Sequence, residues 1–170
     1  GANISFSAQV GSITTGNELP YAPTYTQTIN NFTTNFNAAG GEVILGDTVS
    51  TGNAGVLSIT NTRLRLGTND FIVNNISPAA VTGGTYSINN MIVADGIGQI
   101  KKAFAYGSST AFIYPVGDVS GGVGNNIGAD YSPVSLTISN NSALRLIGIN
   151  LVDSIHPSIG SPAHYITRYW

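Results

Sequence analysis

The chain has no cysteine, which removes disulfides, thiolate chemistry and any cysteine-based zinc site. Charge is almost as scarce: Asp, Glu, Lys and Arg make up 8% of 170 residues, six basic against eight acidic, where about 25% is ordinary. With a net charge of −2 and a pI near 5.4 there is no field to attract nucleic acid or anionic lipid, and nucleic-acid binding is set aside. No apolar run approaches the roughly 20 residues of a membrane span, so membrane insertion is not expected. Gly1-Ala2-Asn3 has neither a basic n-region nor an apolar h-region behind it, and any export signal is expected to have been removed already. Amphipathic helical runs of ten or more residues are also lacking, which leaves strands to carry the fold.

What is present is an ordinary hydrophobic share, 42%, in a chain long enough to bury a real core without metal or disulfide. The polar surface must then be made of Asn, Thr, Ser and Gly. A surface solubilised by hydroxyls and amides points to an extracellular setting.

Short β-branched or aromatic runs recur along the chain, each closed by Gly, Asn or Asp, residues that tolerate turn dihedrals. They are Glu42 to Leu45, Val56 to Ile59, Arg63 to Leu66, Phe71 to Val73, Tyr86 to Ile88, Met91 to Ala94, Gln99 to Phe104, Ala111 to Tyr114, Val134 to Ile138 and Ala143 to Ile149. This pattern predicts an all-β fold with little or no helix, built as an antiparallel β-sandwich of short strands. Solenoid-like stacking is expected in residues 42–75, where Leu57 to Asn61 and Leu64 to Asn69 look like rungs. Arg63 and Arg65 share a parity opposite Leu64 and Leu66, which gives that strand a basic outer face. Residues 1–41 read as a separate segment: an alternating strand through Ile4, Phe6, Ala8 and Val10, then a Thr-, Pro- and Asn-rich stretch in which Gln27 to Phe36 is loop or strand. Residues 42–170 form the sandwich module. Asp95-Gly96 is expected to turn a hairpin between Val93 and Ile100. Phe112 to Tyr114 and Val134 to Ile138 enclose a loop of Gly, Asn and Asp.

Taken in order, Leu64 to Val73, Tyr86 to Lys102 with its Val93-Ala94-Asp95-Gly96-Ile97-Gly98, Phe112-Ile113-Tyr114-Pro115-Val116-Gly117-Asp118 and Tyr131-Ser132-Pro133-Val134-Ser135-Leu136-Thr137 resemble a module of very large secreted surface proteins of Bacteroidota. His164 to Trp170 is similar to the strand that opens the next part of that module. The resemblance implies export by the type IX route, exposure at the cell surface, and a role in adhesion, gliding or assembly. It brings no catalytic residues with it. The abrupt aromatic end of the sequence leads to a further expectation, that Tyr165, Ile166, Tyr169 and Trp170 form an assembly strand completing a sheet with a following segment or another subunit. Asp47-Thr48-Val49 and Asp153-Ser154-Ile155 are similar to the O-glycosylation acceptor of that phylum, which makes Thr48 and Ser154 modification candidates.

Among metal candidates, Asp118, Asn125 and Asp130 with the carbonyls of the glycine-rich loop offer oxygen ligands of the kind calcium takes, although these residue types also serve turns. Gly117 to Gly124 lacks the Gly-Lys-Ser/Thr ending and following helix of a phosphate loop. His156 and His164, eight residues apart around two prolines, have no nucleophile elbow beside them. Glu18 and Glu42 are the only glutamates, too little for a glycosidase pair. No cofactor is expected beyond this weak calcium set, and the reading is non-enzymatic: an extracellular structural or adhesive module whose partners are neighbouring modules, identical subunits or surface glycans. The alternative is a carbohydrate-binding module, which requires an exposed aromatic row among Tyr21, Tyr25, Tyr106 and Tyr114.

Overall fold

The computed structural model describes residues 2–16, 29–107, 109–119, 128–154, 156–158 and 169–170. All regular structure among them is β. In chain order the strands are β1 Asn3–Ala8, β2 Ser12–Thr14, β3 Ile29–Phe36, β4 Gly41–Ile44, β5 Val49–Thr60, β6 Thr62–Arg65, β7 Phe71–Val73, β8 Val81–Gly83, β9 Met91–Val93, β10 Ile100–Phe104, β11 Thr110–Tyr114, β12 Val116–Asp118, β13 Asp130–Tyr131, β14 Val134–Ile138 and β15 Arg145–Ile149.

The expected antiparallel sandwich is not what forms. One sheet runs β1-β3-β5-β7-β10-β15 with β8 also paired to β5, and another runs β13-β12-β9-β6-β4-β2. Up to β12 every pairing within them is parallel. Apart from β7 and β8, which both lie in the first sheet, and β11, which pairs with β14 outside both sheets, successive strands alternate between sheets, so each circuit of the chain lays one rung on the last in the manner of a β-solenoid. A strand that runs once round a circuit must return in the same direction, and parallel pairing follows. Solenoid stacking, expected only in residues 42–75, therefore extends from β1 to β12. The strands before residue 41 stack in the same sheets as those after it, and Gln27 to Phe36 supplies β3.

The interior is made of rows of like residues, one per rung. Ile13, Val43, Leu64, Ile92 and Val116 are register partners down one sheet. Ile4, Phe32, Leu57 and Val81 form a second row, and Val49, Phe71, Ile100 and Ile149 a third. The inner members of these rows are fully buried. Phe32 meets Phe71 edge-on at 5.2 Å between ring centres, a favoured aromatic geometry.

Asn and Gly make the corners. Asn69 donates to the Leu45 carbonyl at 2.8 Å, Asn75 to Gly55 at 3.0 Å and Asn61 to Phe36 at 3.2 Å, so side-chain amides satisfy carbonyls where the ladder is interrupted. At Gly96 an added Cβ would collide with the Gly67 carbonyl of the preceding rung. Asp95-Gly96 is thus a corner, not a hairpin: Val93 lies in one sheet and Ile100 in the other.

The stack ends by reversal. After β12 the chain turns back and retraces its last rung antiparallel, β13 on β12, β14 on β11 and β15 on β10. The two strands expected to enclose the glycine-rich loop do so, Phe112 opposite Leu136. Residues 120–127 at the tip lie outside the described residues.

Candidate functional site

Four of the eight acidic residues gather where the return path crosses the solenoid corner. Asp118 on β12 is fully buried and stands in register with Asp130 on β13. Asp95, at the corner after β9, accepts the Val119 amide at 3.2 Å. Asp153 follows the exit from β15, where Leu151 donates to Ala94 at 2.8 Å and Asn150 to Gly96 at 3.2 Å. Asp95, Gly96, Ile97 and residues 150–153 line an open cleft of about 420 Å³.

The structure brings Asp118 and Asp130 together, while Asn125, the third calcium candidate, lies outside the described residues. Among the described residues no group of three or more His, Asp or Glu side chains is arranged to hold a metal ion.

Tyr169 pairs with Val152 of the same chain through both backbone bonds, 2.8 and 3.1 Å, and its ring lies edge-on to His156 at 4.8 Å. The backbone of the expected assembly strand is thus engaged within the chain at this point, while Trp170 is 55% exposed. Tyr165 and Ile166 lie outside the described residues, as does His164.

Thr48 is half-buried and its hydroxyl accepts the Asp70 amide of the next rung at 3.1 Å. Ser154 is half-buried beside the cleft residue Asp153. The aromatic row needed for sugar stacking does not assemble among the described residues. Tyr106 is displayed, 74% exposed, but Tyr114 is fully buried, its hydroxyl donating to the Ile147 carbonyl at 3.0 Å. Burial raises its pKa well above the usual phenol range. Tyr21 and Tyr25 lie outside the described residues.

The basic face expected at Arg63 and Arg65 is partly offset by a single carboxylate. Both guanidinium groups lie near Glu42, at 3.8 and 3.7 Å, because parallel register sets Glu42 beside Arg63. Lys101 pairs with Asp70 in the same way across rungs.

Sequence reasoning passed over Lys102. It shares parity with Ile100 and Phe104 on β10 and therefore points inward, fully buried. Its ammonium donates to the Ala103 carbonyl at 2.6 Å and lies 5.2 and 5.4 Å from the ring centres of Phe104 and Phe112. Desolvation lowers its pKa to about 8. The signal was in the strand: two adjacent lysines in a period-2 element cannot both face water. Without solvent access this amine is a packed cation held by two rings, not a nucleophile for an outside substrate.

No family model matches this chain, and no curated protein or solved structure matches it either.

Proposed function

We propose that the chain is a non-enzymatic structural or adhesive module of a bacterial cell-surface protein or filament, working outside the cell. The observation that supports this best is the run of interior rows through stacked rungs. A solenoid of this kind is a stiff rod whose every rung is hydrogen-bonded to its neighbours, so its length is a mechanical property and its sides are display surfaces. A charge-poor exterior, with Arg63, Arg65 and Lys101 beside carboxylates on adjacent rungs, makes such a rod insensitive to salt. The motif resemblance to modules of Bacteroidota surface proteins favours the same setting and export by the type IX route. The partners in this reading are neighbouring modules or identical subunits.

The test is topological. Antibody raised against the chain should label intact cells of its natural source, and brief protease treatment from outside should remove the label. Signal confined to lysed cells would overturn the proposal.

A further inference from the structure

Of the six aspartates in the chain, Asp95 alone is followed by glycine; Thr48, Phe71, Val119, Tyr131 and Ser154 follow the others. The amide nitrogen of the residue after an aspartate can attack its carboxyl carbon and close a five-membered imide, and the side chain of that residue normally stands in the way. Gly96 has none. The attack also needs a nitrogen whose N–H is not engaged. The amides after Asp70 and Asp118 are held, Phe71 donating to the Gln99 carbonyl at 2.9 Å and Val119 to Asp95 at 3.2 Å. Among the described residues nothing accepts the Gly96 amide.

Two further features of the corner favour the reaction. The Val119 amide donates to Asp95 Oδ2, so a donor is already aimed at an oxygen that gathers charge as the carboxyl carbon becomes tetrahedral. Asp95 and Gly96 also line the open cleft of about 420 Å³, which admits water to both residues.

We propose that Asp95-Gly96 is a self-modifying site that converts in the folded chain, without an enzyme, first to a succinimide and then to isoaspartate. The Gly96 nitrogen bonds to Asp95 Cγ. One carboxyl oxygen leaves as water, taking the amide proton and one proton from solvent, while Oδ2 stays on the Val119 amide as an imide oxygen. Water from the cleft then adds to either imide carbonyl. Addition at Cγ restores aspartate; addition at the main-chain carbonyl leaves the chain running through Cβ and Cγ, one atom longer, with a new α-carboxylate beside it. The corner has no room for that atom on its inner side, where Gly98 donates to the Gly67 carbonyl at 3.0 Å and a Cβ at Gly96 would collide with the same oxygen. The longer chain must bulge toward the cleft and pull on Ala94, which donates to Gly117 on the last rung at 3.1 Å and accepts Leu151 at the exit of the return at 2.8 Å. Modification therefore loosens, with age, the end of the stack where the chain doubles back. This holds wherever the protein resides, so it and the structural reading above can fail separately.

The test incubates the intact folded chain at physiological pH and temperature for several weeks. Each aspartate is then mapped by peptide mass spectrometry, with loss of one water marking the imide and enzymatic methylation marking isoaspartate. Both should appear at Asp95 roughly tenfold or more above every other aspartate, given the missing Cβ at Gly96. Asp95→Glu, whose ring would be one atom larger, should abolish them and leave the circular dichroism unchanged. Isoaspartyl protein, separated from the rest, should exchange its Ala94 and Leu151 amides about tenfold faster, with the β3 and β5 amides unaltered. A folded chain that keeps Asp95 intact while the urea-unfolded chain converts it would overturn the proposal. So would conversion spread evenly over the aspartates, isoaspartate persisting in Asp95→Glu, or unchanged exchange at Ala94 and Leu151.

Discussion

The parallel stack from β1 to β12 and the antiparallel return from β13 to β15 use the same kinds of residue to different effect. In the stack, the inward apolar side chains of the middle rungs lie between one rung and the next, so Val43, Leu64 and Ile92 are wholly buried. In the return, Val134, Leu136 and Ile138 have a rung on one side only and remain half-exposed. Solenoids need a terminating element that covers the last rung without inviting another. Here the chain provides it by doubling back, and the difference in burial predicts where the folding energy lies.

Truncation in the two regions should separate them most. Phe32→Ala removes a ring packed between Phe6 and Phe71 and should destabilise by about 3–5 kcal/mol, whereas Leu136→Ala should cost only about 1 kcal/mol. Urea unfolding followed by circular dichroism gives both values, and equal losses would break the comparison. Next in size is Gly96→Ala. Its Cβ has no room against the Gly67 carbonyl, so about 3 kcal/mol or more should be lost through displacement of the corner.

Much of this was legible in the strands and little in their arrangement. The alternation of Arg63-Leu64-Arg65-Leu66 gave a half-buried strand correctly, and Asn and Gly marked the corners. Parallel stacking was hidden because the rung length varies: from Ile13 to Val43 is 30 residues, from Val43 to Leu64 21, from Leu64 to Ile92 28 and from Ile92 to Val116 24. A fixed period is the usual signature of a solenoid, and insertions at the corners erase it. The antiparallel expectation came true only in the return, where Phe112 to Tyr114 and Val134 to Ile138 were read as a pair. Asp118 and Asp130, weak calcium candidates in the sequence, meet as register partners where the chain reverses.

Lys102 sharpens the comparison because it lies at the junction, on the last rung and under the return strand β15. Its pKa falls from 10.5 to about 8 on folding, by desolvation. Between about pH 8 and 10 the unfolded chain binds more protons than the folded one, so stability should rise with pH. Above about pH 10 the trend should reverse, since burial holds the Tyr86 phenol near 12, helped by the nearby Tyr131, and the unfolded tyrosine ionises first. Lys102→Met should raise stability near pH 7 by about 1–3 kcal/mol and flatten the lower slope. Denaturant midpoints measured from pH 7 to 11 decide it; a slope surviving in the variant would assign the effect elsewhere.

The smallest effects should come from the outer faces. Glu42 lies 3.8 Å from Arg63 and 3.7 Å from Arg65, an ion-pair cluster on neighbouring rungs whose side chains remain about one-fifth to one-third exposed. Such pairs contribute roughly 0–1 kcal/mol each, so Glu42→Gln should lower stability by about 1 kcal/mol or less, and the difference from wild type should shrink as salt is raised to 1 M. Arg63 also donates to the Gly40 carbonyl at 3.2 Å, a bond that survives the loss of Glu42. If Glu42→Gln instead costs as much as Phe32→Ala, stacked charges as well as stacked apolar rows hold the rungs in register, and the rod would be expected to soften in salt.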